Sequence, residues 1–207
     1  GKDQYGEGDV FIGLTVPVCR TIAWQFSSLD FTSIKRLLED KVHEKRLIAL
    51  LILVEKFKKG DKLAREKIFQ FYLDNMGKIN NWDLVDLSAD KIIGKFLLEK
   101  NKEKEILYKL ERSDNLWEKR ISIISTFYFI KKNQFDDTLN IAELLMNDKH
   151  DLIHKAVGWM LREVGKRDEK ILENFLKKHY RQMPRTMLRY AIEKFDEKKR
   201  KGYLRGE

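Results

Sequence analysis

The sequence predicts an all-α protein built from stacked helix pairs, and three observations carry that expectation. Apolar residues recur at helical spacing from residue 32 onward, as in Leu47, Leu50, Leu51 and Val54, or Ile153, Ala156, Val157, Met160, Leu161 and Val164. Only two prolines interrupt the chain, Pro17 and Pro184, and no alternating strand pattern bounded by turn residues is visible. Helix starts near His43, Trp82, Trp117, His150 and Pro184 follow one another at 33 to 39 residues, each preceded by a shorter amphipathic helix. That period belongs to helical repeat proteins.

The starts have local chemistry. Asn80-Asn81 precede Trp82, Ser113-Asp114-Asn115 precede Leu116, and Asn147-Asp148 precede Lys149, so side-chain oxygens are available to the free N–H groups of a first turn. Pro184 suits the first turn of the last long helix, where its missing N–H costs little. His43-Glu44-Lys45-Arg46 echoes Trp117-Glu118-Lys119-Arg120, each before an apolar run. Helix pairs of this kind cannot bury their apolar faces alone, so neighbours share a core. The expectation is one solenoid-like repeat domain over residues 1–207, the second helix of each pair lining a concave face.

Composition narrows the function class. Hydrophobic residues make up 43% and charged residues 36% of the 207, enough for a core beneath a charged surface. The net charge is +9 and the pI about 9.4. From Glu169 to Glu207 there are 12 basic and 6 acidic residues, so two-thirds of the excess sits in the last fifth of the chain. A one-sided basic field favours a polyanion, nucleic acid before anionic membrane. Cys19 is the only cysteine, which excludes an intrachain disulfide and suits a reducing compartment. The apolar runs Leu47–Val54 and Ile121–Ile130 are far shorter than the roughly 20 residues of a membrane span. With no signal-peptide pattern at the start, a cytoplasmic monomer is expected.

Two constellations pair a tryptophan with a charge. Trp82 and Asp86 stand four apart on one predicted helical face, near an N-terminus whose dipole favours the carboxylate. Spacing alone favours the plainer reading, a core tryptophan beside a solvated, dipole-matched aspartate. Trp159 and Arg162 stand three apart, with Gly158 allowing something to approach the backbone closely. Here the alternative is a packed indole with the arginine lying over it or paired to Glu163. Arg120 follows Trp117 by three and alone passes as a surface arginine, and Trp24 is assigned to packing. His150 and His154 have metal spacing without a third ligand, Gly6, Gly8 and Gly13 read as a loop, and Cys19 reads as buried.

Taken in order, FxGxxVPxxR (Phe11, Gly13, Val16, Pro17, Arg20), HExR (His43, Glu44, Arg46), WDxVD (Trp82 to Asp86), NxWxxR (Asn115, Trp117, Arg120) and KAxGWxLRE (Lys155 to Glu163) resemble the AlkD-like DNA alkylation repair proteins. The resemblance covers nearly the whole chain. It implies a HEAT-like glycosylase acting on cationic alkylpurines such as 3-methyladenine and 7-methylguanine in duplex DNA, without a metal or organic cofactor and without flipping the base into a deep pocket. It also implies that Trp82, Asp86, Trp159, Arg120 and Arg162 surround the lesion, with Asp86 catalytic and the arginines on flanking phosphates. Relatives often carry a second tryptophan where Asn81 stands, and a further helical segment upstream of Gly1; Tyr5 is the candidate for the aromatic that segment supplies. A non-catalytic binder of damaged DNA and a protein-interaction scaffold are the competing functions.

Overall fold

The computed structural model describes residues 9–100 and 104–206. Their regular secondary structure is helical, apart from one isolated bridge between Val10 and Val42. None of the helices among them is long and apolar enough to cross a membrane. The chain divides into two compact units, Gly1–Glu99 and Lys100–Glu207.

The first unit is organised around α3 (His43–Lys59), whose residues from Leu47 to Leu53 are all buried. α1 (Val16–Gln25), α2 (Phe31–Leu38) and α4 (Lys62–Asp74) pack against it. Asp30 and Asp61 cap α2 and α4 by accepting the N–H groups of Ser33 and Ala64 at 2.7 and 2.8 Å. α5 (Trp82–Asp86) follows, then a π-helical turn at Asp90–Gly94 and α6 (Lys95–Lys100).

α5 is far shorter than the long helix expected from Trp82 onward. The buried Ser88 hydroxyl donates to the Leu84 carbonyl at 2.5 Å and bonds the Tyr72 hydroxyl at 2.9 Å. A side chain that competes for backbone carbonyls in this way breaks the regular ladder. A second correction concerns Trp24, which is 64% exposed. Cys19 and Ala23 form the inward side of α1, and the next residue along is rotated off that side.

In the second unit α7 (Glu105–Glu111), α8 (Leu116–Ser125), the short α9 (Phe127–Ile130) and α10 (Asp136–Leu144) lead to α11 (Asp151–Gly165). α12 (Glu169–His179), α13 (Arg185–Ala191) and α14 (Glu197–Arg205) complete it. α11 is the centre, packed by α8, α10, α12 and α13. Gly158 explains how closely α13 lies: a Cβ there would stand 2.5 Å from the Met187 carbonyl oxygen and 2.6 Å from the Tyr190 Cβ. What approaches the Gly158 backbone is a neighbouring helix.

Asn81 and Asn115 cap the helices the sequence assigns to them, on Trp82 N–H at 2.7 Å and Trp117 N–H at 2.8 Å. The third cap differs. His150 is the capping residue of α11, its Nδ1 accepting from Leu152 N–H at 3.2 Å, while Asp148 accepts the His150 N–H at 2.8 Å. His154 donates from Nε2 to the Asp148 carbonyl at 2.5 Å, so both histidines serve this helix start. Pro184 stands just outside α13, and α13 is neither long nor last because Asp196 caps α14 through Lys199 N–H at 2.9 Å. The shorter-then-longer order holds for α2–α3, α7–α8 and α10–α11 but is reversed for α4–α5 and α12–α13.

Candidate functional site

In the first unit the site grows from a buried polar cluster at the start of α3. His43, Glu44 and Arg46 are each under 8% exposed, which single charges tolerate only when partnered. Glu44 accepts the backbone N–H groups of Ile12 and Gly13 at 3.0 and 2.8 Å. Burial opposes its ionisation, but these N–H bonds outweigh it and hold the carboxyl below its usual range. Gly13 has φ of 84°, a left-handed turn that brings the strap over Glu44 and favours glycine. Gly6, Gly8 and Tyr5 lie outside the described residues.

His43 bridges two carboxylates, its Nδ1 3.2 Å from Asp9 and its Nε2 2.7 Å from Asp83. Burial works against its charge, yet Asp83 and then Asp9 outweigh burial and raise its pKa. Arg46 donates to Asp9 at 2.5 Å and to the Asn80 side chain at 2.6 Å, and Asn81 donates to Asp9 at 3.1 Å. Two basic side chains, His43 and Arg46, thus meet two carboxylates, Asp9 and Asp83. The consequence is positional: α5 is held at Asn81 and Asp83, so Trp82 between them is turned outward and 47% exposed. Asp86 lies one turn further, partly exposed. It is the last residue of α5, so the helix dipole lends it none of the support expected near an N-terminus.

In the second unit α11 carries Trp159 and Arg162, both partly exposed. Trp159 donates from Nε1 to Glu163 at 3.2 Å and lies 5.6 Å from the Phe127 ring. Arg162 pairs with Glu193 through Nη1 and has its Nε 3.8 Å from Glu163. Lys166 bonds Glu163 at 2.8 Å, so this 8% exposed carboxylate gathers three neighbours. The Arg162–Glu163 pairing weighed from the sequence is present, with Glu193 as a second partner.

Arg120 is placed differently from a phosphate ligand. It is 4% exposed and donates from Nη1 to the Leu152 carbonyl at 2.5 Å, stapling α8 to the first turn of α11. Asp83, Asp9 and Glu193 are the site residues that sequence reasoning missed. A signal for the first two exists: four ionisable residues, His43 to Arg46, stand directly before the apolar run Leu47–Val54, and buried charges require partners.

The family model described as "DNA alkylation repair enzyme" matches residues 2–195. The chain belongs to that family. No curated protein matches it. Among solved structures, the DNA alkylation repair family member is similar to a predicted DNA alkylation repair enzyme from Enterococcus faecalis, at 15% identity and a TM-score of 0.73, over 93% of this chain and 92% of that one. It is also similar to AlkD2 from Streptococcus mutans, at 20% identity and a TM-score of 0.64, over 90% and 92%. At these identities the likeness is one of fold. In this family member the match takes in both tryptophan-bearing segments and ends before α14.

Proposed function

We propose that this DNA alkylation repair protein excises cationic alkylpurines of the 3-methyladenine and 7-methylguanine class from duplex DNA by hydrolysing the N-glycosidic bond, acting as a cytoplasmic, nucleoid-associated monomer. One observation carries the reading. The buried cluster under α5 holds Trp82 outward, 47% exposed, with Asp86 one turn along the same short helix.

Alkylation at N3 or N7 gives the purine a positive charge and makes it a good leaving group. As the C1′–N bond breaks, its electron pair returns to the base, which departs neutral, and positive charge develops on the sugar. Asp86 stabilises that charge electrostatically and orients the water that adds to C1′ and releases a proton. Trp82 and Trp159 present π faces to the cationic nucleotide, each contributing about 0.5–2 kcal/mol. Tyr5 is proposed as a further aromatic in contact with the lesion. Arg162 exchanges its exposed partner Glu193 for a DNA phosphate, while Arg120 keeps α8 and α11 in place from within.

Incubation of the protein with duplex DNA carrying 7-methylguanine tests this directly. Release of free 7-methylguanine supports the proposal. Tight binding with the lesion left intact makes the chain a non-catalytic binder, and no affinity for DNA leaves the scaffold reading.

A further inference from the structure

The last helix, α14, lies wholly beyond the segment that the family model matches, which ends at residue 195. Between Lys194 and Arg205 the chain carries six basic residues against Asp196 and Glu197. None of the residues of α14 is buried, so it is not held by an apolar core. Its inner side is docked by polar and aromatic contacts instead. Lys199 turns back onto α12 and pairs with Glu169 at 2.5 Å and with Glu173, its ammonium 4.2 Å from the Phe195 ring. One turn on, Tyr203 meets Tyr180 edge-on at 5.4 Å and Phe195 at 5.8 Å. The Tyr180 hydroxyl reaches the Gly206 carbonyl at 3.4 Å, where the helix ends.

That docking orients the rest. With Lys199 and Tyr203 facing inward, Lys198, Arg200 and Lys201 stand exposed on the outer side. Lys201 has only an exposed partner, Glu197, at 2.7 Å, an ion pair readily exchanged. Like charges at this density repel one another, a cost that a bound polyanion relieves. A membrane-surface helix would need a broad apolar face of Trp, Phe and Leu. Here Tyr203 is committed to Tyr180 and Phe195, and Leu204 is the only aliphatic side chain of the helix.

We propose that α14 is an additional contact for the phosphate backbone of duplex DNA, made through Lys198, Arg200 and Lys201, outside the segment that the family model matches and independent of the lesion. The proposal rests on the reading that the chain binds duplex DNA. Its test is the triple variant Lys198→Ala, Arg200→Ala, Lys201→Ala, which leaves Lys199 and Tyr203 to hold the helix. Affinity for undamaged duplex is measured across a salt series for both proteins, with thermal melting to verify the fold.

Each phosphate neutralised contributes about 0.9 to the slope of log K against log salt, so the variant is expected to lose about 2 to 3 from that slope and bind correspondingly more weakly at low salt. Equal slopes and affinities for the two proteins overturn the proposal while leaving the chain a DNA binder. A wild-type protein with no salt-dependent affinity for duplex overturns the parent reading, and this one with it. Binding to vesicles of anionic phospholipid that the triple variant loses, without a matching loss on DNA, assigns the face to a membrane and also overturns it.

Discussion

The imidazole of His43 stands 2.7 Å from the Asp83 carboxylate, forty residues further along the chain, and this bond ties the first turn of α5 to the first turn of α3. Asp9 closes the bridge from the other side at 3.2 Å. Because both partners are anionic, the folded state favours the protonated ring, and its pKa is raised above the ordinary 6.5. A raised pKa contributes stability that is fully present below the unfolded value and is lost as pH rises through the folded one. The thermal midpoint of the wild-type protein, relative to His43→Gln, should therefore fall as pH is taken upward from 6.5. A pH-independent difference between the two would show that the ring is neutral in the fold. Removing the bridging ring altogether in His43→Ala takes from Asp83 its imidazole partner and should cost about 3 kcal/mol, measured by urea denaturation.

Gly158→Ala sets two effects against each other. Alanine in a helix interior gains roughly 0.5–1 kcal/mol over glycine. The added methyl would meet the Met187 backbone carbonyl at 2.5 Å, and backbone cannot rotate aside. Overpacking of this kind costs about 1–3 kcal/mol, so the contact wins and the melting temperature should drop. An unchanged or higher melting temperature would mean that α13 is free to shift.

The two arginines, similar in sequence context, should separate in experiment. Arg120→Ala removes a charged donor from a buried carbonyl and should cost about 1.5–3 kcal/mol of stability, with the salt dependence of DNA binding unchanged. Arg162→Ala breaks a pair with a 44% exposed partner, so stability should move by less than about 1 kcal/mol. Its effect should appear in binding, as a salt slope lower by about 0.9. The opposite pattern would exchange their roles.

Asp86→Asn distinguishes an enzyme from a binder. The amide preserves shape and removes the anion, and loss of one preorganised electrostatic group typically slows a reaction on the order of 10²-fold. Affinity for DNA should be unchanged or slightly higher, since a negative charge facing phosphates is gone. Single-turnover release of 7-methylguanine, taken beside a melting curve, measures this. Excision at the wild-type rate would remove Asp86 from the chemistry, and simple unfolding would make it a scaffold residue.

Helix starts were legible in the sequence because they depend on neighbours: Asn81 and Asn115 cap what immediately follows them, and the period of apolar residues needs only a local window. Helix ends after α5 and the outward turn of Trp24 were not, since each depends on what packs there, such as the Tyr72 hydroxyl on Ser88. The tryptophan-bearing motifs stood out, while their supports did not. Asp83 looks like one more acidic residue in a first turn until the fold brings His43 to it, and Arg120 looks solvated until Leu152 offers a carbonyl in the interior.

Cys19 is fully buried in α1, and its thiol pKa is raised by that burial and, after it, by Glu44. Thiolates, not thiols, are the form that attacks electrophiles, alkylating agents among them. A member of a DNA alkylation repair family meets those electrophiles wherever its lesions arise. Burial of its single sulfhydryl makes the folded protein a poor target for alkylating agents. Cys19 should accordingly resist a thiol reagent until the chain is denatured, which makes its accessibility a reporter of the packing of α1 against α3.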